Sequence, residues 1–181
     1  AGFKGQYFVY YQIHAVYGNQ QSDGTLTDFI VMGPDNQVPF KESFKDASLE
    51  HTPWTLSTLT GNISGLWGIS DHVAYPTASA QDGDGGMAYF KGSEVPAGVS
   101  ARMTSPKIDL FSASHPKVSF WVFIPGNDTR ETLELQITHN DNVYTTLAEI
   151  DLKGEQGWKQ FSFDIPRIHC RESTMIAFKA T

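Results

Sequence analysis

The chain has 181 residues, of which 40% are apolar, and a formal net charge of −7 at pH 7. This length and apolar content suffice for a globular domain with a buried core. The negative charge and the scattered lysines and arginines argue against a nucleic-acid partner, which requires clustered basic side chains. No apolar run approaches the roughly 20 residues of a membrane-spanning helix, so no membrane insertion is predicted for this segment.

The first two predicted strands form a β-hairpin. In residues 5–18, every second residue from Tyr7 to Ala15 is apolar or aromatic, as in a strand with two distinct faces. Residues 25–33 form a second strand-like segment after the polar turn NQQSDG. A polar connector bounded by prolines, residues 34–39, follows the hairpin and has the composition of a linker between domains.

Residues 40–181 predict a β-sandwich. Helical periodicity is almost absent. Ten short segments rich in β-branched and aromatic residues are separated by Gly, Pro, Asn or Asp. Aromatic residues, 13% of the chain, lie mostly in these segments, as a core between two sheets roughly 10 Å apart requires.

The segment PKVSFWVFIP, residues 116–125, is predicted to be a central strand. One row of its side chains would face the core: Val118, Phe120, Val122 and Ile124. The opposite row is also largely apolar: Ser119, Trp121 and Phe123. Because both rows are largely apolar, we expect this strand to be covered on both faces.

An acidic glycine loop, residues 81–86 within SAQDGDGGMAYF, carries Asp82 and Asp84. Small neighbours let the backbone gather carboxylates and carbonyls around a hard cation, but the same residue types also form ordinary turns. The EF-hand pattern does not fit, because Met87 and Ser93 stand where its glycine and glutamate belong. Any metal site here requires further ligands from elsewhere in the chain.

Two resemblances follow from these segments. The strand YFVYYQIHAVYG, its polar turn and the strand ending in VMG resemble the last two strands of a fibronectin type III domain. Residues 38–181 resemble the MAM-like jelly-roll domains of bacterial surface proteins, of the cleaved-adhesin and choice-of-anchor type, which are related to galactose-binding-like sandwiches. The motifs that carry this second resemblance are VPFKESF, PWT, the isolated Trp67, DGDGGMAYF, SARMTSPKIDLFSASHPKVSFWVFIPG, LELQI, GW and IAFKA.

The resemblances imply a domain organisation. Residues 1–33 would be the C-terminal strands of a fibronectin type III-like domain, residues 34–39 a linker and residues 40–181 a MAM-like jelly roll. The family closes with a further strand that carries an acidic segment, and no such strand precedes Thr181. The jelly roll is therefore expected to lack its last strand.

The adhesin-like resemblance also implies a structural calcium ion. Asp82 and Asp84 of the acidic glycine loop would be ligands, and Glu42 in FKESF would be their partner from the start of the domain. Backbone carbonyls and waters would complete the six to eight oxygens that Ca²⁺ takes. The alternative is that the two aspartates shape a turn and that Glu42 is a solvated strand residue.

Aromatic side chains in loops are candidates for sugar binding, because sugar-binding sandwiches stack pyranose rings on Trp or Tyr faces. The candidates are Trp54, Trp67, Tyr75 and Tyr144. Each of them is equally a candidate for the core, where most tryptophans of a domain this size lie.

No catalytic constellation is recognised. The sequence has no Gly-x-Ser-x-Gly elbow, no zinc-ligand histidine spacing, no distinguished carboxylate pair and a single cysteine, Cys170, which we expect to be buried. We therefore expect no catalysis. The adhesin-like resemblance implies an adhesion module that binds a glycan or an extracellular protein, within a secreted or cell-surface multidomain bacterial protein whose neighbouring domains it adjoins. The alternatives are an accessory domain of a secreted protease or glycosidase, and a structural spacer.

Overall fold

The structure is a computed structural model that describes residues 5–49, 54–61, 63–74, 77–83, 85–126 and 129–181. Within these ranges the chain is all-β, with short 3-10 turns at Lys45–Ala47, Gly92–Glu94 and Arg167–His169. No helix there has the length and apolar character needed to cross a membrane. The strands are β1 (Tyr7–Ile13), β2 (Val16–Tyr17), β3 (Gln20–Gln21), β4 (Thr25–Met32), β5 (Thr55–Thr58), β6 (Trp67–Ser70), β7 (His72–Ala74), β8 (Thr77–Ser79), β9 (Met87–Phe90), β10 (Ala101–Thr104), β11 (Lys117–Ile124), β12 (Leu133–Thr138), β13 (Thr145–Ile150), β14 (Gly157–Asp164) and β15 (Met175–Ala180).

A five-stranded antiparallel sheet, in the order β13-β12-β15-β10-β5, forms one layer. Its inner strands are almost fully buried, since Leu135, Ile137 and Ala177 are each at most 1% exposed. A bulge between Leu135 and Gln136 shifts the pairing of β12 with β13. The strand β15, which is the last in sequence, lies in the middle of this sheet.

The ribbon of β11 and β14 packs on this sheet as a second layer. The ring of Phe120 meets that of Phe178, in β15, edge to face at 4.8 Å, and Val118 and Val122 pack on the same core. The predicted inward row of β11 is therefore confirmed. The expectation that β11 is central and covered on both faces is wrong for the described chain. β11 pairs only with β14, and Trp121 on its outer face is 44% exposed.

Two smaller ribbons, β6 with β9 and β7 with β8, complete the body of the molecule. The indole N–H of Trp158, in β14, donates to the Ser79 carbonyl at the end of β8 and links two of the ribbons. The prediction of an all-β, sandwich-like fold is confirmed. The jelly-roll connectivity and the boundaries at residues 33, 39 and 181 stay predictions.

The predicted N-terminal hairpin is present as β1 paired with β4, from Tyr7 opposite Met32 to Ile13 opposite Thr25. Phe8 and Phe29 meet edge to face at 5.1 Å across the ladder. The outer surface of the hairpin keeps large apolar side chains in solvent: Tyr10, Tyr11, Ile13, Val16 and Tyr17. The predicted pairing is therefore confirmed, but the predicted first strand over residues 5–18 is too long. It ends at Ile13, and Val16–Tyr17 pairs with Gln20–Gln21 because the chain turns at Gly18, whose φ is 58°.

The hairpin is fixed to the sandwich by amide side chains. The carboxamide of Asn140, in the turn after β12, accepts from the Val31 N–H at 2.8 Å and donates to the Val31 carbonyl at 2.9 Å. Asn140 has a φ of 63°, a backbone region that asparagine tolerates better than most residues. Gln6 makes a similar contact with the backbone of Lys107, accepting from its N–H and donating to its carbonyl.

The connector is held by a buried ion pair. The Lys107 ammonium lies 3.0 Å from an Asp35 carboxylate oxygen, with the two side chains only 8% and 15% exposed. The same ammonium donates to the Gly33 carbonyl at 2.7 Å, and the Asp35 carboxylate accepts from the Ser173 N–H at 2.6 Å. Each buried charge therefore has further hydrogen bonds, which a buried ion pair needs to offset its desolvation.

We predict that Lys107→Met lowers the free energy of unfolding by about 3 kcal/mol, because it leaves the Asp35 carboxylate buried without its cation. The measurement is urea unfolding followed by tryptophan fluorescence. The matched control is Lys117→Met, which breaks an exposed 3.2 Å pair with Asp164 whose side chains are 61% and 76% exposed; its cost should stay under about 1 kcal/mol. Equal losses in the two variants would show that burial of the junction pair does not matter.

Candidate functional site

The acidic glycine loop packs against the leading segment of the sandwich, residues 40–47. The Gly86 N–H donates to the carbonyl oxygens of Ser43 at 3.1 Å and Phe44 at 2.9 Å. β9 begins immediately after this contact, at Met87. Two regions that are distant in sequence are thus brought together by backbone hydrogen bonds.

Close packing at this contact requires glycine. A Cβ on Gly85 would stand 2.4 Å from the Ser43 carbonyl oxygen, and a Cβ on Gly86 would stand 2.5 Å from the Phe44 carbonyl oxygen. Both distances are far inside van der Waals contact, and the obstructing atoms belong to the backbone. The two glycines therefore allow the loop and the leading segment to pack closely, in addition to allowing the chain to turn.

The leading segment is conformationally strained where it meets the loop. Phe44, which precedes the 3-10 turn, and Ala47, its last residue, both have a φ of 50°. Residues with a Cβ adopt this left-handed region at a cost of order 1–3 kcal/mol each, and such residues cluster at functional sites. The strain marks this segment as one whose geometry is imposed by its surroundings.

Oxygen atoms from the two segments converge on Gly85. The Asp82 carboxylate accepts from the Gly85 N–H at 3.1 Å. Both of its oxygens, and the carbonyl oxygen of Ser43, lie within 3.4 Å of the point where a Gly85 Cβ would stand. A carboxylate and a carbonyl are ligands of the kind that calcium takes.

Glu42 lies in the leading segment next to these donors, and its carboxylate is held in place. It accepts from the Phe44 N–H at 2.7 Å and from the Trp54 indole N–H at 3.0 Å. An ionised carboxylate has about four acceptor positions, so these two bonds leave capacity for a further partner. Its predicted role as a metal ligand stays a prediction.

Asp84 and Tyr75 lie outside the described residues, so the placement of these two predicted site residues is untested. Within the described ranges, no group of three or more His, Cys, Asp or Glu side chains is arranged to hold a metal ion. Among the described residues, the oxygen atoms near Gly85 that could bind a metal belong to the Asp82 carboxylate and the Ser43 carbonyl. Glu42 adjoins Ser43 in the sequence. A complete calcium shell would therefore need Asp84, further carbonyls or water.

The three predicted aromatic platforms that the structure describes all have protein partners. Trp54 packs on Phe44 with ring centroids 5.5 Å apart, and Trp67 packs on Phe90 at 5.8 Å. The guanidinium of Arg102 lies 3.5 Å above the ring centroid of Tyr144, which covers one of its faces. Ligand stacking on these rings stays a prediction, with one face of Tyr144 already taken.

The most exposed of the four tryptophans is one that the sequence did not single out. Trp121 lies on the outer face of the β11–β14 ribbon opposite Gln160. Beside it, the hydroxyls of Ser119 and Ser162 are 2.8 Å apart across the ladder. Its position inside an apolar strand indicated burial, so no sequence signal distinguished it as a surface residue.

A cleft of about 840 Å³ lies between the β6–β9 and β11–β14 ribbons, over the five-stranded sheet. Its largely apolar lining comes from all three: Trp67, Met87, Met103, Phe120, Trp121 and Phe178. The leading segment and the acidic glycine loop line it through Glu42 and Asp82, and Glu131 lines it as well. The candidate calcium site and the cleft are thus adjacent features of one surface.

The carboxyl groups with resolved shifts are held in the ionised form. The hydroxyl of Thr129 lowers the pKa of Glu131, and the Lys179 ammonium lowers the pKa of Glu134. For Asp141, hydrogen bonds from the Val143 N–H and other donors outweigh burial and lower the pKa. A general acid needs the opposite, a raised pKa, so these three groups are suited to electrostatic and hydrogen-bonding roles.

Two histidines stack beside the junction with the hairpin. The rings of His139 and His169 are 5.9 Å apart and nearly parallel, and the buried Nε2 of His139 has no hydrogen-bond partner in the described part of the chain. Burial lowers the pKa of His139, and the charges of Arg171 and His169 act in the same direction while Asp141 opposes them. The folded protein therefore favours the neutral form of the His139 imidazole.

Comparison of the chain with models of known protein families found no match, and comparison with curated proteins found no significant match.

We predict that the free energy of unfolding falls as the pH drops below about 6.5, the ordinary value for histidine. The folded pKa of His139 is lowered, so the unfolded chain binds more protons in this range and acid favours unfolding. Urea unfolding between pH 7.5 and 5 measures the slope. His139→Gln should flatten it, whereas His72→Gln, which replaces an exposed histidine, should not. An unchanged slope in His139→Gln would remove His139 from the explanation.

Proposed function

We propose that the chain is a non-catalytic binding module of a secreted or cell-surface multidomain bacterial protein. In this proposal it is a jelly-roll sandwich that calcium stabilises and that binds a glycan or an extracellular protein. The observation that carries it is the packing of the acidic glycine loop on the leading segment, in which the Gly86 N–H bonds to the Ser43 and Phe44 carbonyls and the Asp82 carboxylate lies beside the Ser43 carbonyl.

In this arrangement, a bound calcium ion would hold the acidic glycine loop against the leading segment. The loop and the leading segment are joined by the Gly86 hydrogen bonds, and the strained φ angles of Phe44 and Ala47 oppose the joined state. A cation held by Asp82, Asp84, Glu42 and the Ser43 carbonyl would offset that strain. The ligand set is all oxygen, which favours calcium over the softer transition metals.

A glycan ligand is supported by the outer face of the β11–β14 ribbon. Trp121 offers an exposed indole there, and the hydroxyls of Ser119 and Ser162 and the carboxamide of Gln160 surround it. An aromatic face combined with hydroxyl and amide groups suits a pyranose ring, which presents an apolar face and polar edges.

The junction favours a structural spacer as the second candidate function. The buried pair of Lys107 with Asp35, and the Asn140 and Gln6 contacts, fix the hairpin and connector to the sandwich. A fixed junction transmits an orientation between neighbouring domains, which a spacer requires. Ligand binding by the purified chain separates this candidate from the first.

We predict that saturating calcium, at about 100-fold over its Kd, raises the stability of the chain by about 2.7 kcal/mol and its melting temperature by several degrees. The measurement is a thermal melt in EDTA and across a calcium series. Asp82→Asn and Asp84→Asn should each reduce the shift. The matched control is Asp151→Asn, since Asp151 caps the Lys153 N–H at 3.0 Å in the way that Asp82 caps Gly85. A melt that ignores calcium would refute the metal site.

We predict that a glycan array probed with the purified chain gives specific binding that Trp121→Ala strongly weakens. Truncating the indole removes the apolar surface on which the sugar ring would stack, a loss on the order of 1–2 kcal/mol at about 25 cal/mol per Å² of buried apolar area. Phe111→Ala is the matched control, because Phe111 is a 60% exposed aromatic residue outside this ribbon. Absence of any glycan signal would leave the protein-binding form of the proposal and the spacer.

A further inference from the structure

The cleft between the two ribbons is bordered by two strands that lack a partner on one side. In the described chain, β9 pairs only with β6, and β11 pairs only with β14. Each of these strands therefore presents a row of backbone N–H and C=O groups that no other strand satisfies. Open edges of this kind are templates for another strand.

We propose that this cleft binds an extended strand of a partner polypeptide, which adds to β11 or β9 by backbone pairing and places alternate apolar side chains on the five-stranded sheet. The inference rests on the proposed binding function and names its partner class. An incoming strand uses the backbone edge for affinity and the side-chain positions for specificity.

The dimensions of the edge suit a short strand. β11 has eight residues and β9 has four, so at a rise of about 3.4 Å per residue the β11 edge extends over roughly 27 Å. A cleft of about 840 Å³ that is open along such an edge can hold a linear segment. A compact ligand would fill the volume without using the edge.

The lining is suited to one apolar face of a strand. Phe178 and Met103 from the five-stranded sheet, and Met87 and Phe120 from the two ribbons, line the cleft. Trp67, whose ring packs on that of Phe90 at 5.8 Å, adds a further apolar side chain to the lining.

Charge favours a partner with basic ends over a second copy of this chain. The charged side chains that the structure describes in the lining are three carboxylates, Glu42, Asp82 and Glu131, and one guanidinium, that of Arg130, so acidic groups are in excess. The pKa of Glu131 is lowered by Thr129, which keeps it ionised. A second copy would carry the same net charge of −7, whereas lysine or arginine beside the apolar positions would complement the carboxylates.

The test uses a labelled nine-residue peptide that alternates valine with threonine and has lysine at both ends. Fluorescence anisotropy measures its Kd for the full chain in EDTA and in calcium. Replacing its threonines by proline removes backbone donors while keeping the valines, and replacing its valines by serine keeps the donors while removing the apolar face. We expect each replacement to weaken binding at least tenfold.

Hydrogen exchange locates the bound peptide. Peptide should protect amides of residues 87–90 or 117–124 and leave β5 and β13, the outer strands of the five-stranded sheet, unchanged. Glu131→Lys should weaken binding of the lysine-ended peptide about threefold, whereas Glu155→Lys, in an exposed turn, should not. Peptide titration of the wild-type chain keeps the test valid if a variant fails to fold.

Several outcomes overturn the proposal. They are absence of binding, equal binding of the proline peptide and protection elsewhere. Protection, without peptide, of the β9 and β11 amides that do not bond to β6 or β14 would also overturn it, because a second copy or another segment of polypeptide would then occupy the cleft. Failure here is separable from failure of the proposed function. A chain that responds to calcium and binds a glycan but ignores the peptide loses only this inference.

Discussion

The buried ion pair of Lys107 with Asp35 is the constraint on which the arrangement of the molecule depends. It joins the connector after the hairpin to the strand region after β10, and it is supported by the Gly33 carbonyl and the Ser173 N–H. A two-stranded hairpin has little stability by itself in water, so β1 and β4 depend on this attachment. A buried pair of this kind adds specificity of geometry more than net stability, and here the geometry is the position of the hairpin on the sandwich.

The cleft follows from how the second layer of the sandwich is built. The β6–β9 and β11–β14 ribbons are separate from each other, and the gap between them, over the five-stranded sheet, is the cleft. The acidic glycine loop leads directly into β9, so its packing on the leading segment also positions the ribbon that borders the cleft. Calcium at that loop would thereby influence the cleft without contacting a ligand in it.

Local patterns in the sequence predicted the all-β fold, the hairpin and the inward row of β11, because alternation depends only on neighbouring residues. The same local patterns could not predict which strands pair with each other. The apolar outer row of β11 indicated cover on both faces, yet Trp121 is exposed because the described chain supplies no strand or loop above it. The adhesin-like resemblance implied that Glu42 and the acidic glycine loop share a metal ion. The structure packs their segments against each other, and the shared ion stays a prediction. The contacts of Glu42 with Trp54, of Gln6 with Lys107 and of Asn140 with Val31 depend on long-range packing, and no local pattern encodes them.

The central position of β15 determines when this molecule can fold. β10 and β12 have no direct pairing with each other and are joined only through β15, so the largest sheet cannot close until residues 175–180 have left the ribosome. Until then the apolar faces of β10 and β12 lack the strand that joins them. Contacts between residues so far apart in sequence make folding slow and expose such intermediates to aggregation. The order of the strands in this sheet therefore delays its closure until after β11 to β14 have been synthesised.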